Sequence, residues 1–139
     1  MTKTDAFLEC LFEAVAARRD RTFQWGVHDC CTFACDVIRD AGGVDYAAPF
    51  RGRYRTAAGA ARALRRFAGA GLEAAAERIT RDNGLEEVPP LMAQRGDFVL
   101  MDEAEGPALG VCLGSHFVAA GPAGTVLRPL AAARRAWRT

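Results

Sequence analysis

The first half of the chain carries apolar residues three or four positions apart, which is the spacing of one face of an α-helix. Thr4 or Asp5 can cap the start of the first helix, Thr56 can cap the third, and Gly42-Gly43 stops the second. The pattern therefore predicts four helices, at residues 4–18, from near Asp29 to Gly42, from Thr56 to about Phe67, and at residues 71–81.

In the second half, short apolar runs are separated by residues that favour turns. Pro89-Pro90 excludes a helix at that point, and Ala136-Trp137-Arg138 should return to the sheet with Trp137 as a packing anchor. Four strands are predicted, at residues 98–101, 108–113, 117–120 and 125–130. Helices followed by an antiparallel meander define an α+β fold, in which N-terminal helices pack on a C-terminal antiparallel sheet.

The composition is that of an ordinary globular protein. At 139 residues the chain suits one domain, which we expect to span residues 1–139. The formal net charge of +1 gives no overall attraction to nucleic acid or membrane. No apolar run approaches the ~20 residues of a membrane helix. Asp5, Glu9 and Glu13 argue against a secretory signal.

Five cysteines are present, and an odd number without a signal sequence indicates reduced thiols rather than a disulfide framework. We therefore expect the protein to be cytoplasmic when made. A zinc site could draw on two clusters, first His28, Cys30, Cys31 and Cys35, then Cys112 and His116. These spacings match no familiar zinc motif, so we predict no metal or other cofactor, with Cys31 and Cys35 as core residues.

Cys30 is the candidate nucleophile. It is predicted to lie in the first turn of the second helix, where unpaired N–H groups and the helix dipole favour a thiolate. Asp29 can cap this helix, although its negative charge opposes a lowered thiol pKa. The alternative is that Cys30 is a small core residue, because free cysteine is among the most buried residue types.

Three segments resemble a known family. Residues 23–33, which contain Asp29-Cys30, resemble the segment that opens the catalytic helix of NlpC/P60 cysteine peptidases. Residues 94–100, with Gly96-Asp97, resemble the start of a strand in that family, and residues 109–114 resemble the strand that follows. The resemblance covers about residues 20–130, and it implies a papain-like core and a thiol hydrolase that acts on cell-wall peptides.

The chain resembles more closely a small NlpC/P60-like family of unknown function, found in phages and prophages near tail genes. The markers are the Asp-Cys helix, Arg51-Gly52-Arg53-Tyr54, Gly96-Asp97 and the terminal Ala136-Trp137-Arg138. This resemblance implies other phage tail proteins as partners, and incorporation into a virion tail.

The sequence departs from the peptidases at the catalytic positions. The resemblance places the family's catalytic histidine at Leu109 and its orienting polar residue near Ala119. A thiol without a base loses assistance of roughly 10²–10⁴-fold. His116, in the predicted turn between two strands, is the default replacement base, and His28 is the other candidate. We therefore favour a catalytically degenerate relative with a structural or assembly role over an active peptidase.

An arginine-rich stretch is the second candidate for function. Six arginines and no acidic residue occur between Tyr46 and Leu72. Nucleic-acid binding is disfavoured, because only Tyr54 could stack on bases there. The alternatives are a solvated helix face and a non-enzymatic module that docks on a partner protein. The residues predicted to bind such a partner are Arg51, Arg53, Arg62, Arg65 and Arg66.

Overall fold

A computed structural model describes residues 3–139 and has the α+β architecture that the sequence predicts. The helices are α1 Asp5–Ala17, α2 Thr32–Gly42, α3 Ala57–Ala68 and α4 Leu72–Asp82. The strands are β1 Glu87–Val88, β2 Phe98–Glu103, β3 Gly106–Cys112, β4 His116–Gly121, β5 Gly124–Pro129 and β6 Arg135–Trp137. One 3₁₀ turn, Pro90–Met92, lies between β1 and β2, and another, Leu130–Ala132, lies between β5 and β6. No helix in this part of the chain is both long and apolar enough to cross a membrane.

The helix ends lie close to where the cap residues predict them. Thr4 and Thr56 each accept a hydrogen bond from the N–H three residues later, at 3.1 and 3.0 Å. Gly43 and Gly69 end α2 and α3 in the left-handed conformation, with φ of 81° and 85°. Local chemistry therefore determines these boundaries.

The sheet is antiparallel throughout, in the order β1-β6-β2-β3-β4-β5. Strands β2 to β5 form the predicted meander, and β6 returns to pair with β2, where Trp137 is buried as predicted. The two-residue strand β1 was not predicted, because two residues carry no detectable period.

Both faces of the sheet are covered. Leu100 and Val111 lie on the face that packs against the helices. Met101 and Ala119 lie on the opposite face, where Leu130 from a 3₁₀ turn packs against them. Burial on both faces explains why β2 reads as a continuous apolar run rather than an alternating one.

Asp97 connects the two ends of the chain. Its fully buried carboxylate lies 2.7 Å from Lys3 Nζ and 3.1 Å from Arg138 Nε. It also accepts backbone N–H bonds from Gln94 at 2.8 Å and Thr139 at 3.3 Å. The Gly96-Asp97 and Ala136-Trp137-Arg138 markers are thus in direct contact.

Candidate functional site

Asp29 organises the segment that carries the candidate nucleophile. Its Oδ1 accepts the N–H groups of Cys31 and Thr32 at 2.9 and 2.8 Å. Its Oδ2 accepts the Gly26 N–H and the Tyr54 hydroxyl, both at 2.8 Å. Thr32 Oγ1 in turn accepts the Asp29 N–H at 3.0 Å, which completes a reciprocal cap. Asp29 is predicted as the N-cap residue, but that position belongs to Cys31, and the Asp29 carboxylate instead caps the turn that leads into α2.

The loop before Asp29 packs tightly on the loop that contains Tyr54. Gly26 has φ of +84°, and a Cβ there would lie 2.3 Å from the Tyr54 carbonyl oxygen. Only glycine fits both the conformation and the close approach. The Arg51-Gly52-Arg53-Tyr54 marker therefore packs through Tyr54 against the loop that carries Asp29 and Cys30.

Cys30 lies in the turn directly before α2, and not within the helix as predicted. Its carbonyl oxygen accepts the Leu109 N–H at 2.8 Å, which attaches this turn to β3. Burial, and then the negative charge of Asp29, raise the pKa of the Cys30 thiol to about 12. The thiol is therefore protonated at neutral pH, which is the opposite of an activated nucleophile.

Cys30 lines a cleft of about 470 Å³. Phe23 and Trp25 form one wall, edge to face with ring centroids 4.9 Å apart. Arg128 is the single cationic side chain among the described residues that line the cleft, and it lies 3.4 Å from Glu103. No histidine between residues 3 and 139 lines it.

Gly106, Pro107 and Ala108 of β3 line the cleft with Cys30, and Leu109 does not. Leu109 packs among the helix-facing core residues, whereas Ala108 lies on the other face together with Ala119. A shift of one residue along a strand changes the face, which is why the position assigned from the sequence was wrong. The correction leaves the chemistry unchanged, because both side chains are apolar.

His116 begins β4 and is exposed, with Nδ1 3.0 Å from Ser115 Oγ. Four residues of extended chain separate it from Ala120, which lines the cleft, a distance of roughly 13 Å. The structure therefore does not bring His116 and Cys30 together. The turn between β3 and β4 is shorter than predicted, because His116 already belongs to β4.

His28 is buried, with 1% of its surface exposed, and does not line the cleft. Neither ring nitrogen has a hydrogen-bond partner among residues 3–139, and the ring lies edge to face with Phe33 at 5.5 Å. Burial, followed by the charges of Arg21 and Arg18, lowers the pKa of His28, while Asp29 and Asp36 oppose the shift. His28 is thus a neutral core residue and not a base for Cys30.

The buried His28 predicts a loss of stability in acid. Because its pKa is lowered in the folded state, the unfolded chain binds a proton more readily below pH ~6.5. We expect the free energy of unfolding to fall by up to ~1.4 kcal/mol per pH unit there. Urea unfolding between pH 5 and 8 should show this slope in wild type and in His116→Gln, but a flatter one in His28→Phe. Equal slopes in wild type and His28→Phe would contradict the assignment.

The remaining cysteines are not arranged as metal ligands. Cys31 and Cys35 are 1% and 0% exposed, which confirms the prediction that they are core residues. Among the residues that the structure describes, no three His, Cys, Asp or Glu side chains are placed to hold a metal ion. The zinc ligand set considered from the sequence is not assembled.

Arg51 is not available to a partner, contrary to the prediction. It donates to both oxygens of Asp45, at 2.9 and 2.8 Å, and lies 2.7 Å from Asp36. These contacts lower the pKa of Asp45 and raise that of Arg51. Arg51 therefore links α2 to the loop that follows it. The other four predicted arginines, Arg53, Arg62, Arg65 and Arg66, are exposed.

Together, the fold and the cleft define a small α+β protein with a protonated cysteine in an otherwise mostly apolar cleft. Residues 2–139 match a family described as a domain of unknown function (DUF6950), and the chain belongs to that family. No curated protein matches the chain significantly.

Proposed function

We propose that this chain is a catalytically degenerate NlpC/P60-like protein that acts by binding, in a structural or assembly role in phage tails. The observation that carries the proposal is the cleft around Cys30, which no histidine between residues 3 and 139 lines and in which burial raises the thiol pKa. A peptidase of this type needs a thiolate and an adjacent base. The proposed association with phage tails rests on the sequence resemblance to the NlpC/P60-like family found near tail genes.

Two structural features support the fold part of the proposal. The cysteine stands at the start of a helix that is attached to a central strand through the Cys30–Leu109 backbone bond. Gly96-Asp97 leads directly into β2, the neighbour of that strand. This is the order of helix, strand and strand that the resemblance to NlpC/P60 proteins implies.

The chemistry of the cleft supports the degenerate version over an active peptidase. Ala108 lines the cleft beside Cys30, and Ala119, at the position that the resemblance gives to the orienting residue, lies on the same face of the sheet. Neither can accept or direct a proton. The aromatic wall of Phe23 and Trp25 remains suited to contact an apolar ligand.

The reactivity of Cys30 tests this proposal. We expect iodoacetamide at pH 6 to modify Cys30 far more slowly than Cys10, the exposed thiol on α1, because almost no Cys30 thiolate is present. Peptide mass spectrometry of the labelled protein measures both rates in one sample.

Two variants identify the thiols in this experiment. Cys10→Ser should remove most of the fast labelling, whereas Cys30→Ala should leave the total rate nearly unchanged. Fast modification of Cys30 alone, with its loss in Cys30→Ala, would show an activated thiol and overturn the degenerate assignment.

A further inference from the structure

A second, smaller hollow lies between α3 and the loop that precedes it. It measures about 210 Å³ and is lined by the residues that we call the arginine hollow, namely Phe50, Arg53, Arg62, Arg66 and Phe67. Pro49, which also lines it, and the half-buried Phe67 provide an apolar base, and Phe67 packs on the buried Phe50 with ring centroids 5.7 Å apart. Arg62 and Arg66 stand one turn apart on α3, and Arg53 faces them from the loop.

The arginines of the hollow differ from most others in the protein. In the described part of the chain, none of the three has a carboxylate oxygen within 4.0 Å. The arginines that do have a carboxylate oxygen within 3.4 Å are Arg18, Arg51, Arg78, Arg128, Arg134, Arg135 and Arg138. Among residues 3–139, Arg21, Arg55, Arg65, Arg81 and Arg95 also have no carboxylate oxygen within 4.0 Å, so the hollow is distinguished by three such arginines lining one concavity.

Nothing near the hollow in sequence compensates its charge. Arg66 lies in the last turn of α3, where its positive charge interacts favourably with the helix dipole. Arg53 and Arg62 have no such favourable interaction. Like charges one turn apart on a helix repel each other. The nearest acids in sequence, Asp45 and Glu73, are already held by Arg51 and by Arg134 and Arg135, respectively. An external anion would relieve this repulsion.

We propose that the arginine hollow binds an acidic segment of a partner protein. One apolar side chain of the segment packs on Pro49 and Phe67, and flanking carboxylates pair with Arg53, Arg62 and Arg66. Arginine presents a planar set of donors that suits carboxylates. This inference rests on the proposed binding function and specifies the chemistry of the partner.

The shape of the site favours a protein over a nucleic acid. A phosphate backbone would engage the arginines but leave the apolar base of the hollow empty. Single-stranded nucleic acid also needs exposed aromatic faces for stacking. Tyr54 is 6% exposed with its hydroxyl on Asp29, and Phe50 is 1% exposed, so neither ring presents a face to a base.

Fluorescence anisotropy with short peptides tests the inference. The probe is a fluorescein-labelled peptide Asp-Glu-Leu-Glu-Asp, added to the 139-residue chain at about 0.1 M salt. We expect saturable binding that weakens about tenfold when serine replaces the leucine. Binding should disappear when lysines replace the four acids.

Protein variants locate the site. Arg62→Glu should weaken binding of the acidic peptide by at least about tenfold, because a charge-assisted contact becomes a repulsion. Arg65→Glu makes the same charge change on the same helix outside the hollow, and should weaken it far less. Equal losses in both variants would show general attraction to charge and overturn the inference.

Two other results would also overturn it. One is no difference between the acidic peptide and its lysine counterpart, and the other is tighter binding of a single-stranded DNA oligonucleotide than of the acidic peptide. Labelling of Cys30 distinguishes a failure of this inference from a failure of the proposed function. An unreactive Cys30 with no peptide binding rejects this inference alone, whereas an activated Cys30 rejects the proposed function whatever the peptide does.

Discussion

Replacing Asp29 with alanine is expected to lower the free energy of unfolding by about 3–5 kcal/mol. The carboxylate is fully buried and accepts four hydrogen bonds, from the N–H groups of Gly26, Cys31 and Thr32 and from the Tyr54 hydroxyl. All four donors would lose their partner in the variant. Because the free energy of unfolding of a small protein is about 5–15 kcal/mol, this loss is a large share of its stability. Urea denaturation measures the loss.

Two milder variants separate the contributions of the carboxylate oxygens. Tyr54→Phe removes one donor and should cost about 1 kcal/mol. Asp29→Asn keeps an acceptor for Cys31 and Thr32 but turns an amide NH₂ toward the Gly26 N–H, so its cost should lie between the other two. If Asp29→Ala were no more destabilising than Tyr54→Phe, the carboxylate would not be the organising group of this segment.

Local features of the fold could be predicted from the sequence because their causes are local. Thr56 and Gly69 limit α3 through contacts within a few residues of each helix end. The same holds for Gly43 at the end of α2. The class α+β follows once such elements are placed in order along the chain.

Contacts between distant segments could not be predicted in this way. The pairing of Arg51 with Asp36 depends on how a loop returns to α2. The burial of His28 depends on packing against Phe33, and nothing in its sequence neighbours indicates it. The choice between Ala108 and Leu109 depends on the register of β3, which the apolar run from residue 108 to 113 leaves undetermined.

The sequence markers acquire a physical meaning from these distant contacts. Asp29 holds Tyr54, and Asp97 holds Arg138, so four marker residues form two pairs, each around a buried carboxylate. Neither pair lines the Cys30 cleft. A sequence can therefore keep every marker and still lack a base beside its cysteine, which is why the markers bear on fold and not on catalysis.

Asp97→Ala is expected to destabilise the protein by about 3–5 kcal/mol, because it leaves buried positive charge without a partner. The carboxylate is fully buried, while the Lys3 and Arg138 side chains beside it are 10% and 27% exposed. Its loss should also release β6 from β2. In a Trp25→Phe background the emission of Trp137 reports that release directly, and urea denaturation gives the free energy.

Asp102→Ala provides the matched control for Asp97→Ala. Asp102 belongs to β2 and also pairs with an arginine, Arg134, but its side chain is 63% exposed. Exposed ion pairs contribute little to stability, so this variant should unfold almost as wild type does. Similar unfolding of the two variants would mean that Asp97 acts only as a surface charge. A large difference would show that its burial between the two chain ends stabilises the fold, because only there is the charge beyond the reach of solvent.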